Sequence, residues 1–345
     1  MNRKITLKVL PYLLSFIMSS LLFEVKATAI TFHGDITLDS SYVDNQVLSK
    51  NITRGLFNAG AEIDLTEFFK YESSFIAGYA IQRGDNGSDI VGDIQGFSNI
   101  DEADFTRAFE IFLAVKFSEN SLVKLGQMDA NSDFATTASG SEFINSSFGF
   151  SPSIQQIPTY PRPSVGIYGE VNLNSQMTAR LGLYESSQQF NHFTDFFSIA
   201  EAQWYYQGNS TFKIGVWHHS GLKFNNQPSK STSDIYVVVD HQLNEKVSAF
   251  LQWGRADTSL VEINRHLSLG INIQNIFTEA DSLGLALTQV DVVEADSERA
   301  IELFYSYKVN DYLTVKPDIQ LISAPSGNNA LDEVIVFTLR LAAQF

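Results

Sequence analysis

Residues 104–117, DFTRAFEIFLAVKF, decide how the rest of the chain is read. The odd positions Phe105, Phe109, Ile111, Leu113, Val115 and Phe117 are apolar, while Asp104, Thr106, Glu110 and Lys116 hold most of the even ones. Successive side chains of a strand point to opposite faces, so this is a strand with one apolar and one wet face. The same alternation suits a soluble sheet or a barrel in a membrane. Which solvent each face meets has to be read from the rest of the chain.

The alternation recurs from Ile30 to Phe345. Examples are Phe57, Ala59, Ala61, Ile63 and Leu65 near the start, Leu267, Leu269, Ile271 and Ile273 later, and Ile335, Phe337, Leu339 and Leu341 at the end. It predicts about sixteen strands, an even number, in one domain over residues 30–345. The connections LTEFFKY, FSENS, LNSQ, QGNS, LNEK and VNDY are short, whereas 83–104, 131–163, 186–197 and 221–234 are long. Short and long connections tend to alternate along the chain, as periplasmic turns and extracellular loops do in outer-membrane barrels. A soluble sandwich has no reason to sort loop length by chain parity. The expected fold is all-β, a transmembrane antiparallel up-and-down β-barrel of the outer-membrane porin type.

The N-terminus supports the same compartment. Arg3, Lys4 and Lys8 precede a short apolar core from Tyr12 to Phe23, and Ala27-Thr28-Ala29 is a small-x-small site, so a signal peptide over residues 1–29 is expected to be cleaved after Ala29. No later stretch has the roughly 18 consecutive apolar residues of a spanning helix. The chain has no Cys and 27 Phe, which suits a sheet without disulfides in a bacterial envelope. Its formal charge is -16, and loss of the signal leaves 19 basic and 38 acidic residues, a balance of -19. A chain so acidic should repel nucleic acid.

With lipid outside, the apolar set faces outward and the other set lines the interior. That parity places Glu62, Glu72, Glu110, Glu170, Arg180, Glu201, Lys213, Trp217, His219, Asp240, Glu302, Lys316, Asp318 and Arg340 inside. Such a wall is expected to enclose water rather than a packed apolar core, since sixteen strands leave an aqueous channel. The longest connection, 131–163, is expected to fold inward as the constriction, with Phe134, Phe143, Phe148, Phe150 and Tyr160 packing it on the wall. Asp129, Asp133, Glu142 and Arg162 lie where solute hydroxyls could be met, or where the loop could be tied down.

Several ordered segments then resemble the carbohydrate-selective porin family, OprB. They are GDIQGFSNID (92–101), Arg107-x-x-Glu110, LGQMDANSDF (125–134), FINSSFG (143–149), PTYPRPSVG (158–166), KPDIQLISAPSG (316–327) and the terminal LRLAAQF. The resemblance implies a sixteen-stranded outer-membrane barrel that admits monosaccharides, with charged residues at its narrowest point. Arg107, Glu110, Asp129, Asp133, Arg162 and Asp318 occupy its motif positions. The channel-lining candidates are these six together with Glu170, Arg180 and Arg340. Strict parity sets Arg107 on the lipid side, unless a bulge turns it inward. The family is associated with arginines at the eyelet, and this chain is poor in basic residues.

The function expected is passive diffusion of small neutral sugars, with no cofactor and no metal. A general non-selective pore is the alternative. An outer-membrane enzyme is disfavoured, because His218 and His219 are adjacent and point to opposite faces, and neither G-x-S-x-G nor H-E-x-x-H occurs. Other expected partners are outer-membrane lipids and lipopolysaccharide. The terminal Phe345 resembles the signature read by the outer-membrane assembly machinery.

Overall fold

The computed structural model of the protein describes residues 29–44, 49–186, 194–222, 230–256 and 261–345. The expected signal segment therefore lies outside the described residues apart from Ala29, as do parts of the connections 186–197 and 221–234.

Sixteen strands form one closed antiparallel barrel in which every strand pairs with its neighbours in sequence and the last pairs with the first. They are β1 (Ile30–Asp44), β2 (Ser49–Asp64), β3 (Glu72–Gly84), β4 (Phe105–Ser118), β5 (Ser121–Met128), β6 (Ser164–Asn174), β7 (Met177–Glu185) and β8 (Phe196–Tyr205). The second half comprises β9 (Thr211–Leu222), β10 (Lys230–Gln242), β11 (Val247–Arg255), β12 (Ile263–Gln274), β13 (Asp281–Val292), β14 (Ser297–Lys308), β15 (Leu313–Ser323) and β16 (Val334–Gln344). The sixteen-stranded barrel read from the alternation is the fold observed. Closure gives every strand a partner on both sides and leaves no open sheet edge, which a lipid surround demands.

The seam depends on the last residue. Gly34 N–H donates to Phe345 O and Phe345 N–H to Gly34 O, each at 2.9 Å. The Phe345 ring lies over Gly34, where a Cβ would come within 2.6 Å of it, and stacks on Phe57 at 6.4 Å between centroids. Asparagines build several short turns. Asn244 Oδ1 accepts from Lys246 and Val247 N–H, Asn310 Oδ1 from Tyr312 and Leu313 N–H, and Asn174 Oδ1 from Gln176 N–H. Each side chain stands in for a backbone acceptor that the reversal leaves short.

Large apolar side chains are exposed around the whole outer surface, including Leu125, Leu181, Val216, Leu269, Leu285, Leu303 and Leu339. Aromatic residues gather at the end that carries most of the short turns, the start of β1 and Phe345: Tyr71 against Phe117 at 5.2 Å, then Trp204, Phe277, Tyr312 and Phe345. This is the interfacial girdle of a membrane barrel.

In β4 the parity breaks. Ala77 pairs with Ile111 but Tyr79 with Ala108, so Phe109 and Glu110 together oppose Gly78. This bulge reverses the faces of residues 105–108. Phe105 is buried inside beside Leu56, Ala80 and Ile100, Phe109 packs on the same cluster, and Thr106 is exposed outside. The outward assignment of Phe105 and Phe109 is thus corrected, and Arg107 points inward. Gln127 serves the bulge by donating from Nε2 to Ala108 O and Phe109 O, both at 2.8 Å.

Candidate functional site

The interior is neither empty nor uniformly wet. Two extracellular connections, 85–104 and 129–163, fold into the barrel and pack on each other, with Asn99 N–H on Ile144 O at 2.8 Å and Ser146 N–H on Gly96 O at 2.9 Å. They carry apolar cores of their own. Phe143 sits 4.9 Å from Phe148, 5.6 Å from Phe250 of β11 and 4.8 Å from Phe304 of β14. Phe134 and Ala135 join Tyr168, Tyr184 and Tyr236 in a larger cluster. The expected inward loop thus packs its aromatics on the wall, and these clusters share the interior with the polar wall expected to enclose water.

Irregular backbone in the interior has N–H donors with no ladder partner. Wall carboxylates supply the acceptors, since an ionised carboxylate accepts at several positions and donates at none. Glu201 Oε2 accepts from Ala135 N–H at 2.9 Å, and Asp240 Oδ1 from Ser139 N–H at 3.0 Å and Thr137 Oγ1 at 2.7 Å. Glu302 takes the N–H groups of Ile144 and Asn145 at 2.6 and 2.9 Å. Glu298 takes those of Ile94 and Gln95 at 2.9 and 3.1 Å, and that of Ser326 from the last extracellular connection at 2.7 Å. The acid excess inside the barrel is thus largely the anchorage of the loops.

The sequence-derived candidates divide by position. Arg107 donates from Nη1 to Pro161 O at 2.9 Å, its guanidinium 4.4 Å above the Phe105 ring. With Arg162, Glu102, Tyr160 and Glu185 it lines a cavity of about 710 Å³ at the extracellular end. That cavity exists because β5 is short: residues 105–110 of β4 have no partner on that side, and Tyr160 fills part of the gap, 5.7 Å from Phe105 and 6.3 Å from Phe109.

Glu110, Asp129 and Asp133 hold the base of the long loop. Glu110 Oε1 accepts from Asp129 N–H at 3.2 Å; Asp129 in turn accepts from Asn131 N–H at 2.8 Å and Tyr160 N–H at 3.2 Å, joining the loop's start to its end. Burial, with Glu110 adding repulsion, pushes the Asp129 carboxyl up to about 6. Asp133 pairs with Lys124 at 2.6 Å.

The remaining candidates belong to the wall. Arg180 donates to Glu170 Oε2 at 2.7 Å and Glu201 Oε1 at 2.9 Å, and Arg340 grips both oxygens of Asp39 at 2.7 and 2.8 Å. Asp318 is buried next to Gln320, whose Nε2 donates to it at 3.2 Å. Arg180 and Arg340 are thus neutralised by fixed partners.

A second cavity, of about 630 Å³, lies beneath the loops and reaches the short β8–β9 turn at Asn209 and Thr211. Gln203, Lys213 and Asp240 of the wall line it with Asn99, Asn131 and Asp129 of the loops, beside the aromatic faces of Phe150 and Tyr160. Thr159 and Tyr160 line both cavities. Asn99, Gln203 and Tyr160 are absent from the channel-lining candidates; for Gln203 the signal was present, because strand parity turns it inward between Ala202 and Trp204.

The sequence matches the model of the carbohydrate-selective porin, OprB family over residues 53–228 and 218–345. The chain belongs to this family. Among solved structures, the high-pH form of Pseudomonas putida OprB is 16% identical, covers 95% of this chain and 97% of its own, and superposes with a TM-score of 0.82. The low-pH form of the same protein, also 16% identical, has a TM-score of 0.64 over 95% of this chain and 96% of its own. An anion-selective porin from Comamonas acidovorans is 11% identical with a TM-score of 0.62, covering 92% and 99%. No curated protein matches the sequence. Family and fold make this a porin barrel of the bacterial outer membrane, a channel type rather than an enzyme type.

Proposed function

We propose that the barrel lets small neutral carbohydrates of monosaccharide size diffuse from the extracellular cavity, past Thr159 and Tyr160, into the cavity above the periplasmic turns. The observation that carries this reading is the sharing of Thr159 and Tyr160 by two cavities of mixed polar and apolar lining on either side of the loop layer. Amides, hydroxyls and carboxylates offer exchangeable hydrogen bonds to sugar hydroxyls, while the Phe150 and Tyr160 faces suit the apolar side of a sugar ring. The constriction is charged through Arg107, Arg162 and Asp129, while the wall arginines around it are held by fixed carboxylates, Arg180 by Glu170 and Glu201 and Arg340 by Asp39, which favours neutral solutes over ions. Arg107 and Arg162 serve the outer side of the path and Asp129 the inner side. Glu110, Asp133, Glu170, Arg180, Asp318 and Arg340 act by holding the loops and wall that shape it. In the same reading the signal peptide is removed after Ala29, and Phe345 is presented to the assembly machinery before the seam closes.

Swelling of liposomes containing the purified barrel tests this with sugars and non-sugar polyols of matched size. Faster entry of the monosaccharides is expected, and the preference should be lost in Tyr160→Ala while entry overall speeds up. Uptake ordered by size alone in the native protein would establish a non-selective pore instead.

A further inference from the structure

Charge on the lipid-facing surface is distributed unequally between the two ends of the barrel. The aromatic girdle marks the periplasmic end. At the other end, β11, β12 and β14 turn Arg255, Arg265 and Arg299 outward, directly above the apolar band of Trp253, Leu267 and Ile301. Arg255 and Arg265 are paired residues of adjacent strands, and their side chains are 62% and 67% exposed. Like charges set directly opposite each other destabilise a sheet pair, so this placement needs a compensating anion. Among the described residues the nearby acids do not supply it fully: Arg255 Nε stands 3.6 Å from Asp234 Oδ2, and Arg265 Nη1 stands 3.9 Å from Asp291 Oδ2. Asp291 is already engaged by Ser297 Oγ at 2.8 Å and Gln289 Nε2 at 3.1 Å. Arg299 spends Nε on Gln289 Oε1 at 2.8 Å, and no further bond from its guanidinium occurs among the described residues.

We propose that Arg255, Arg265 and Arg299 form a site for the phosphate groups of an anionic glycolipid in the outer leaflet. The planar guanidinium fork matches phosphate oxygens, and a headgroup anion seated between Arg255 and Arg265 relieves their repulsion. The apolar band immediately below accepts the acyl chains. The lipid, rather than a free anion, is the occupant because the three side chains lie on the membrane-facing parity at the upper edge of that band. Arg83 is also on the outer face, yet it is committed to its own wall, donating to Gln82 O, Phe105 O and Thr106 Oγ1 at 2.6 Å each. The site stands independently of any sugar preference.

Native mass spectrometry of the folded barrel in detergent tests the assignment, with lipid A carrying both phosphates as the probe and the same lipid dephosphorylated as the comparison. The native protein should retain the phosphorylated lipid about tenfold more tightly than the dephosphorylated one, which is about 1.4 kcal/mol. Combined Arg255→Gln, Arg265→Gln and Arg299→Gln should lose that margin, whereas Arg83→Gln should keep it. Equal retention of the two lipids by the native protein overturns the site, and needs no variant that might misfold. So does full retention by the triple variant, or an equal loss in Arg83→Gln. Inorganic phosphate should give no retained adduct; one as persistent as the lipid would overturn the lipid assignment.

Discussion

The walls built by β11–β16 and by β3–β5 use the same kinds of residue and behave differently. In β16 buried and exposed positions alternate from Val334 to Arg340, and β12 and β14 do the same along most of their length. In β4 the outward facing of the odd positions holds only from Ile111 onward, because the bulge at Phe109 and Glu110 inverts the residues beyond it. The regular wall meets the loops mostly with side chains, its backbone adding the Glu298 and Ile263 carbonyls that accept from Gln95 and Gln155. The irregular wall is where loop backbone enters and leaves, since the 129–163 segment begins at the end of β5 and returns at the start of β6. Period two is therefore a faithful record of lipid contact, and it fails first where the sheet opens to admit a loop.

The largest effect that separates the walls comes from a charge in the lipid face of the regular one. Leu269→Arg, at an exposed central position of β12, should destabilise the barrel by about 2 to 4 kcal/mol if it lies near the bilayer midplane. Leu113→Arg in β4 should do the same, because it lies on the part of β4 that keeps its parity and pairs with Phe75 and Leu125. Urea unfolding in lipid vesicles reads both; a normal midpoint for either would show that its strand faces inward.

Next in size is the loss of a wall acid that holds a loop. Glu201→Gln removes the charge that accepts from Ala135 N–H, Arg180 and Tyr236. Hydrogen bonds to charged groups are worth about 1.5 to 3 kcal/mol, so a loss in that range is expected. Single-channel recording should show larger and noisier conductance as the loop loosens. Glu72→Gln, whose ion-pair partner is the exposed Lys116, should change neither measurement appreciably.

These contrasts also explain how much was legible in the sequence. Leu303, Leu339 and Leu269 declared their face because they stand exposed on the outer surface of regular strands. Glu302 and Asp240 were assigned to the interior correctly, but an acid that accepts loop N–H groups and an acid that faces water have the same place in the alternation. The inward connection 85–104 is short of regular structure and long in sequence, so only its length showed, while its docking on Glu298 depends on contacts about 200 residues apart in sequence. The β4 bulge had no local marker either; its partner Gly78 gives room for two residues to oppose one, and glycine is too common in these strands to single it out. Cysteine labelling resolves this point without large energies. Arg107→Cys should react with a water-soluble maleimide and Thr106→Cys with a lipid-soluble one, and the reverse pattern would restore strict parity.

The smallest expected effect is a pH dependence confined to the loop layer. Asp93 is buried in the 85–104 connection beside Glu298, and Ser88 and the Phe97 N–H approach it without completing a hydrogen bond. Burial first, and repulsion from Glu298 after it, push its carboxyl up to about 7 from an ordinary 3.8. Between those values the folded protein keeps a proton that the unfolded chain releases. Stability attributable to this group is therefore present at acid pH and lost as the pH rises toward about 7, then constant above it. Hydrogen exchange of the 85–104 amides should slow on acidification over that interval, after correction for the intrinsic rate, while the β12 and β14 ladders stay unchanged. Asp93→Asn should hold the loop in its acid state at every pH. A loop whose protection still falls toward neutrality in that variant would assign the titration to a different carboxylate, with Asp129 the next group to replace.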